Sequence, residues 1–296
     1  MRTKFRTAVG YPTAGRQSIL AETLKELGRQ SRRPDAVFIC PASPDDFDAS
    51  RTAQLPLSIE LVKGQRGLPA QRNAILDAAA DFDILVFFDD DFLPAPQYLA
   101  EAEACFKEDQ DIVAATGQVL ADGIMGPGIA PADAKAILGS FEFPAGDAQL
   151  IGKRVAYGCN MALRLAPIHA QKLRFDENLP LYGWAEDADF SRRLAAFGDI
   201  VLNNKMAGVH LGTKTGRTSG VRFGYSQIAN PYYLCQKGTS RPYTALRLTL
   251  QNISANFVRS LWPEPWIDRR GRAYGNALGF LDFLRGRLDP RRILEL

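Results

Sequence analysis

Three adjacent carboxylates, Asp89-Asp90-Asp91, follow directly on the wholly apolar run Ile84-Leu-Val-Phe-Phe88. Neighbouring carboxylates repel one another and lose hydration when buried, so they call for a positive partner. A hard divalent cation, Mn2+ or Mg2+, suits them, because it takes carboxylate oxygens and leaves coordination positions for phosphates. In an extended stretch the first and third Asp point the same way. The plain alternative is an exposed acidic turn. A second acidic pair, Glu186-Asp187, heads a helix expected over 186–197 and capped by Gly198. The positive end of the helix dipole keeps carboxylates ionised there, as a simple helix cap or as a proton acceptor. His210 follows the short apolar run 206–209 and offers an imidazole that suits Mn2+, although a lone histidine is commonly structural. His169 has no such context and is read as structural.

These residues need a scaffold, and the first 95 residues supply its pattern. Strand-like stretches at 5–10, 36–40, 57–62 and 84–88 alternate with helical periodicity at 17–29 and 69–80. Leu20, Leu24 and Leu27 share one helix face, and Pro69 suits a first helical position. Such alternation predicts an α/β fold with a mostly parallel, Rossmann-like central sheet flanked by helices. Ligands in such sheets bind beyond the carboxyl ends of the strands, where Asp89 stands. A further strand is expected at 155–162, and the last 80 residues or so read as helical. No internal repeat interrupts the chain.

The composition is that of a globular protein: 296 residues, 46% hydrophobic, 23% charged and 10% aromatic, which excludes collagen-like, coiled-coil and largely disordered chains. No apolar run approaches the roughly 20 residues of a membrane-spanning helix. The start of the chain, Met1-Arg-Thr-Lys-Phe-Arg6, is basic without the apolar stretch of a secretory signal, which predicts a cytosolic protein. Four scattered cysteines, Cys40, Cys105, Cys159 and Cys235, form neither a zinc motif nor a disulfide framework. The net charge of +3 hides an asymmetry: residues 205–296 carry 15 Lys and Arg against 5 Asp and Glu, leaving the first 204 at −7. The basic part is expected to meet something anionic, such as phosphate or a lipid surface, or to be a solvated face. No nucleic-acid module is present, so nucleic acid is not an expected partner.

Four segments then resemble a known family. Phe87-Phe-Asp-Asp-Asp-Phe-Leu-Pro-Ala-Pro96 is similar to the Asp-x-Asp region of GT-A-fold glycosyltransferases, most like glycosyltransferase family 2. Gly67-Leu-Pro-Ala-Gln-Arg-Asn73 resembles the family's glycine and Ala-Arg-Asn helix start. Gly158-Cys-Asn-Met-Ala-Leu-Arg164 resembles its donor-and-acceptor strand. Phe175-Asp-Glu-Asn178 and Trp184-Ala-Glu-Asp-Ala-Asp-Phe-Ser-Arg-Arg-Leu194 resemble the region of its Glu-Asp catalytic pair. The likeness covers roughly residues 5–215. It implies a GT-A catalytic domain over 1–215, with a nucleotide-binding half to about 95 and an acceptor half beyond, then a basic helical extension over 216–296.

The resemblance implies metal-dependent transfer of a sugar from a nucleoside-diphosphate sugar to an acceptor hydroxyl, with inversion, in polysaccharide or glycoconjugate synthesis. It places Asp187 as general base beside Glu186, with Asp189 as a one-site alternative. It places Asp91, Asp89 and His210 on the metal. Donor contacts fall to Pro12, Thr13, Gly67, Arg72, Asn73, Asp89, Asp90 and Arg217, the last on a loop with Lys214 and Gly216 that would close over the diphosphate. The usual nucleobase-holding Asp after the second strand is replaced by Cys40-Pro-Ala-Ser-Pro-Asp-Asp46, where Ser43, Asp45 or Asp46 stands in, so the base is open. Trp184 and Asn160 fall to the acceptor or sugar. The acceptor is a carbohydrate or a lipid-linked one. Trp262, Trp266, Phe280 and Phe283, interspersed with arginines, fit docking on the anionic inner face of the cell membrane, or equally a helical subdomain or homo-oligomer contact. The alternatives to transfer are a sugar-1-phosphate nucleotidyltransferase, of which Gly10-Tyr-Pro-Thr-Ala-Gly-Arg16 would be a poor glycine-rich loop, and a non-catalytic nucleotide-sugar or polysaccharide-binding relative.

Overall fold

The computed structural model describes residues 4–296; residues 1–3, half of the basic N-terminal stretch, lie outside the described residues. Strand β1 (Thr7–Thr13) leads into α1 (Gln17–Leu27), β2 (Ala36–Pro41), β3 (Ile59–Leu61), α2 (Leu68–Ala78) and β4 (Ile84–Phe88). Then come β5 (Phe92–Pro94), α3 (Tyr98–Glu108), β6 (Ile112–Asp122), α4 (Pro131–Ser140) and β7 (Leu150–Lys153). They are followed by β8 (Asn160–Arg164), α5 (Leu165–Ala170), α6 (Glu186–Leu194) and β9 (Asp199–His210). Three long helices close the described chain: α7 (Gly220–Gln236), α8 (Pro242–Arg259) and α9 (Arg269–Leu284).

The strands make one nine-stranded sheet in the order β3-β2-β1-β4-β8-β6-β9-β5, with β7 on β9. Strands β3, β2, β1 and β4 pair in parallel, as do β6 and β9, while β8, β5 and β7 run against their neighbours. Six of the nine strands thus share one direction, and the fold is α/β with a mostly parallel sheet. Strand β4 is buried at all five positions, which explains its unbroken apolar sequence: helices cover both faces of a parallel sheet. Leu20, Leu24 and Leu27 of α1 pack into the same core as Val86 and Phe88.

Several expected elements are found with shifted ends: β1 runs on through Tyr11, Pro12 and Thr13 beyond its expected end at Gly10, and two later elements differ more. The strand placed at 155–162 begins only at Asn160, because the Asn160 amide donates to the Tyr157 carbonyl at 3.0 Å and folds the preceding residues into a turn. The helix placed at 186–197 stops at Leu194. Gly198 instead leads into β9: the Asp199 amide donates to Asp111 O at 2.7 Å, and a Cβ at Gly198 would lie 2.2 Å from that oxygen.

The described chain divides into two compact units. One comprises residues 4–66, 71–174 and 190–216 and holds the sheet; the other comprises 67–70, 175–189 and 217–296. The interiors differ in chemistry. Where the sheet unit buries Ile, Val, Leu and Phe, the helical unit packs through glycine and hydrogen-bonded polar side chains. A Cβ at Gly275 of α9 would sit 2.1 Å from Val221 O of α7, so glycine is required for this backbone approach. Asn256 of α8 donates to Gln227 Oε1 at 2.7 Å and to Asn276 Oδ1 at 2.9 Å, and its own Oδ1 accepts from Arg269 Nη1 at 3.1 Å. Gln227 donates in turn to Asn252, and Asn276 to Gly224 O, so α7, α8 and α9 share one buried network. Truncating one member strands the others without water to replace it. Asn256→Ala is therefore expected to lower unfolding free energy by about 1–3 kcal/mol in urea titration, and a value near zero would mean the network contributes nothing to stability.

Candidate functional site

Strand β4 ends against a reverse turn, in which the Phe92 amide donates to Asp89 O at 3.0 Å. The turn separates the three carboxylates. Asp90 is turned into the protein, where Thr13 Oγ1 donates to its Oδ2 at 2.7 Å and Arg16 Nη1 to its Oδ1 at 2.8 Å. Asp89 and Asp91 converge with His210, each offering a ligand atom within 4.8 Å of the others. Strand register brings the histidine there: His210, the last residue of β9, pairs with Phe92 of β5 on one side and with Asp122 of β6 on the other.

A second carboxylate orients that imidazole. Asp122 Oδ1 lies 2.9 Å from His210 Nδ1, and Tyr157 Oη donates to Asp122 Oδ2 at 3.0 Å. Nε2 is left facing Asp91 Oδ1 at 3.4 Å. Asp91 Oδ2 accepts the Thr213 amide at 2.7 Å, whereas its buried Oδ1 is reached, among the described residues, only by the longer contacts of His210 and of Arg16 Nη1 at 3.3 Å. Two carboxylates, an oriented imidazole nitrogen and an under-satisfied buried oxygen fit a hard or borderline divalent cation such as Mn2+ or Mg2+. Electrostatics follow from burial. Asp89 is shifted up, by burial that Arg72 and His210 only partly oppose. Asp90 is also raised by burial, against the pull of Arg16. Burial acts on Asp91 too, but its His210 hydrogen bond and the Arg16 charge outweigh it and hold the carboxyl below the usual range. Burial disfavours the imidazolium of His210, yet hydrogen bonds to Asp122 and Asp91 push its pKa up to about 10.

The surrounding side chains are placed as follows. Arg72, buried, donates to Gly158 O at 2.7 Å and lies 3.3 Å from Asp89. Pro12 lies within β1, paired opposite Cys40 of β2, and Asn73 is buried on α2 with its carbonyl accepting from Arg174. Asp46 accepts the amides of Gly15 and Ser43, at 2.6 and 2.8 Å, so it binds the segment after β2 to the turn after β1, and Ser43 is the other half of its capping box. Asn160 is wholly buried: its Oδ1 accepts from Thr116 and from the Gly117 amide, while Nδ2 has no hydrogen-bond partner among the described residues. Lys214 donates to the carbonyls of Gly123 and Ile124. His169 lies away from these residues, on a surface cleft with Leu76, Lys172 and Arg174.

Three participants were not among the candidates. Asp122 is a single carboxylate at the end of β6, and neither it nor Tyr157 carries a local signal in the sequence. Arg16 spans the carboxylates and the 213–215 loop, donating through Nε to Thr215 O at 2.9 Å and through Nη2 to Thr213 O at 3.2 Å.

The second unit carries Glu186, Asp187, Trp184, Gly67 and Arg217. Leu181, Gly183 and Ala185 all have positive φ, at 56°, 60° and 69°, so the loop into α6 is wound left-handed at alternate residues. At Leu181 and Ala185 this conformation costs about 1 kcal/mol or more each. Glu186, buried, and Asp187 then open α6. Asp189 is already engaged, accepting from Thr239 Oγ1 at 2.7 Å and Lys237 Nζ at 2.8 Å. Trp184 meets Phe223 edge-on at 6.4 Å, and Arg272 lies over the Phe223 ring at 4.3 Å. Burial and the positive charges of Arg269 and Arg217 pull Arg272 down to about 10.

No protein-family model matches the sequence, and no curated protein sequence does. Solved structures do match. The mannosyltransferase PcManGT from Pyrobaculum calidifontis, in complex with GDP-Man and Mn2+, superposes with a TM-score of 0.56 at 15% identity, over 99% of this chain and 86% of that one. Residues 1–349 of S. aureus TarS, in complex with UDP-GlcNAc, give 0.55 at 15% identity, over 97% and 82%. A longer TarS structure gives 0.52 at 17% identity over 78% of this chain, which spans only 40% of that chain's length. The fold is shared with these proteins.

A carboxylate that fixes a ligand histidine changes metal affinity without touching the metal. Asp122→Asn is expected to weaken Mn2+ binding about 10- to 100-fold in calorimetric titration, and unchanged affinity would remove Asp122 from the site.

Proposed function

We propose that the protein is a glycosyltransferase that moves a sugar from a nucleoside-diphosphate sugar to an acceptor hydroxyl, in a metal-dependent reaction with inversion at the anomeric carbon. The observation that carries this reading is the cluster of Asp89, Asp91 and His210 at the carboxyl end of β4, in a fold shared with a mannosyltransferase in complex with GDP-Man and Mn2+. Asp89, Asp91 and His210 would hold the cation, which supplies Lewis-acid neutralisation of the diphosphate leaving group.

The protein's own residues do the rest. Arg72 and Asp89 orient the donor beside β4, and Thr13 with Asp90 holds the turn after β1 in place for the nucleotide. Pro12, Ser43, Gly67 and Asn73 complete the donor contacts. Arg217 meets the diphosphate; the crowding of positive charge around Arg272 supports this, because an anion relieves it. Asp187 takes the proton of the acceptor hydroxyl as general base, with Glu186 beside it. The helix start at Glu186 supports that assignment, since the dipole favours an ionised carboxylate. The engagement of Asp189 by Lys237 and Thr239 argues against moving the role two residues on. Trp184 stacks on the acceptor or donor sugar, and Asn160 is the other residue assigned to acceptor or sugar. The acceptor is a carbohydrate or a lipid-linked one, as in polysaccharide or glycoconjugate synthesis.

Two measurements test this. A donor that binds only the folded state raises the melting temperature by mass action. One of UDP, GDP, dTDP or CDP is expected to raise it only with Mn2+ or Mg2+ present, and Asp91→Asn is expected to lose that shift; no shift with any pair would sink the reading. Asp187→Asn should keep nucleotide binding and lower the rate of transfer about 10²- to 10⁴-fold. Equal loss of binding and transfer, or a product of retained configuration, would take the base role from Asp187.

A further inference from the structure

Helices α8 and α9 are built inside out. Their fully buried positions are small or polar: Ala245 and Asn256 on α8, and Arg269, Gly275, Asn276, Gly279 and Asp282 on α9, with Leu278 partly buried among them. Their outward positions are apolar. On α8, Tyr243, Leu246, Leu250 and Phe257 recur at spacings of three, four and seven, which puts them on one helix face, and all are more than half exposed, as is Leu261 just beyond the helix. On α9, Tyr274, Leu281 and Leu284 repeat the pattern, and Trp262, between the helices, is 80% exposed. A soluble helix ordinarily shows the opposite arrangement, and scattered exposed leucines do not line up this way. No helix among the described residues is long and apolar enough to cross a membrane, so a spanning role does not account for it.

Charge selects the occupant. Helix α8 contains no acidic residue, and the one carboxylate within α9, Asp282, is buried against Arg287 and Arg292. Arg241, Arg247, Arg270 and Arg285 border the apolar stripes without an ion-pair partner among the described residues. A symmetric pairing with a second copy would oppose these arginines to themselves with no carboxylate between them. Anionic headgroups complement them, with the aromatic and aliphatic side chains entering the headgroup boundary and the arginine stems reaching back to phosphate. We propose that the outward faces of α8 and α9 dock the protein in the plane of an anionic membrane surface. This is independent of the reaction proposed above.

The test is co-sedimentation of the full chain with vesicles of phosphatidylcholine alone, or of equimolar phosphatidylcholine and phosphatidylglycerol. Binding is expected only to the anionic vesicles, weakening with salt, and with a blue shift of tryptophan fluorescence that Trp262→Phe removes. The double variant Leu250→Asp, Phe257→Asp should lose binding at least about tenfold, since each change puts a charge where an exposed apolar side chain would enter the membrane. The pair Arg241→Gln, Arg247→Gln should lose about fivefold per arginine and carries the test if the first variant fails to fold. Both should keep the metal-dependent nucleotide shift in melting temperature. Failure of the wild-type chain to bind anionic vesicles would overturn the proposal. So would self-association in sedimentation velocity that Leu250→Asp, Phe257→Asp abolishes, because the face would then join two copies. Absence of the nucleotide shift with vesicle binding intact would instead sink the glycosyl-transfer reading alone.

Discussion

The sheet unit is organised around one electrostatic problem, the presence of three consecutive carboxylates at the mouth of a buried strand. Water is mostly excluded there, so each charge must be met by the protein or by a ligand. The turn after β4 divides the problem. Asp90 is satisfied internally by Thr13 and Arg16, while Asp89 and Asp91 are left facing His210. Arg16 ties the answer to the rest of the chain, since the same guanidinium that meets Asp90 and Asp91 also holds the carbonyls of Thr213 and Thr215. Anything that adds positive charge at the carboxylates changes what Arg16 is needed for, and hence what anchors the 213–215 loop.

The helical unit solves a different problem. Its helices approach closely through glycine and satisfy their buried amides against one another, which leaves little apolar surface for the interior and much for the outside. Polar networks of this kind contribute modest net stability but penalise any arrangement that leaves a member unpaired. Asn256, bonded to Gln227, Asn276 and Arg269 together, therefore specifies how α7, α8 and α9 meet more than it drives them together. The strained backbone at Leu181 and Ala185 belongs to the same unit and sets the direction in which α6 begins.

Much of the sheet was legible because its pattern is local. The run 84–88 is apolar at every position and could only be a doubly covered strand, and Leu20, Leu24 and Leu27 declare a helix face by spacing alone. Asp89 and Asp91 stood out through residue type and through their place after a strand. Asp122 did not, because a single carboxylate at a strand end has no local signature; its importance comes from lying opposite His210 across a parallel pairing of β6 with β9. Helix α6 ends three residues short of the helical pattern for a related reason: Leu194 to Phe197 keep helical periodicity, but the bond from Asp199 to Asp111 pulls the chain into the sheet.

By itself, then, the sequence determined the α/β alternation, the buried strand that carries the acidic triplet and the basic helical C-terminal part, all of which follow from residue type at short spacing. The tertiary structure decided which carboxylate of the three turns inward, which nitrogen of His210 faces Asp91, and that Arg16 joins the triplet to the 213–215 loop, nearly 200 residues further along the chain than Arg16 itself. It also decided that the apolar side chains of α8 and α9 face outward. The reason is the same throughout: a strand register or a helix packing face is chosen by the burial and hydrogen bonding of all its neighbours together, and no short window of sequence contains those neighbours.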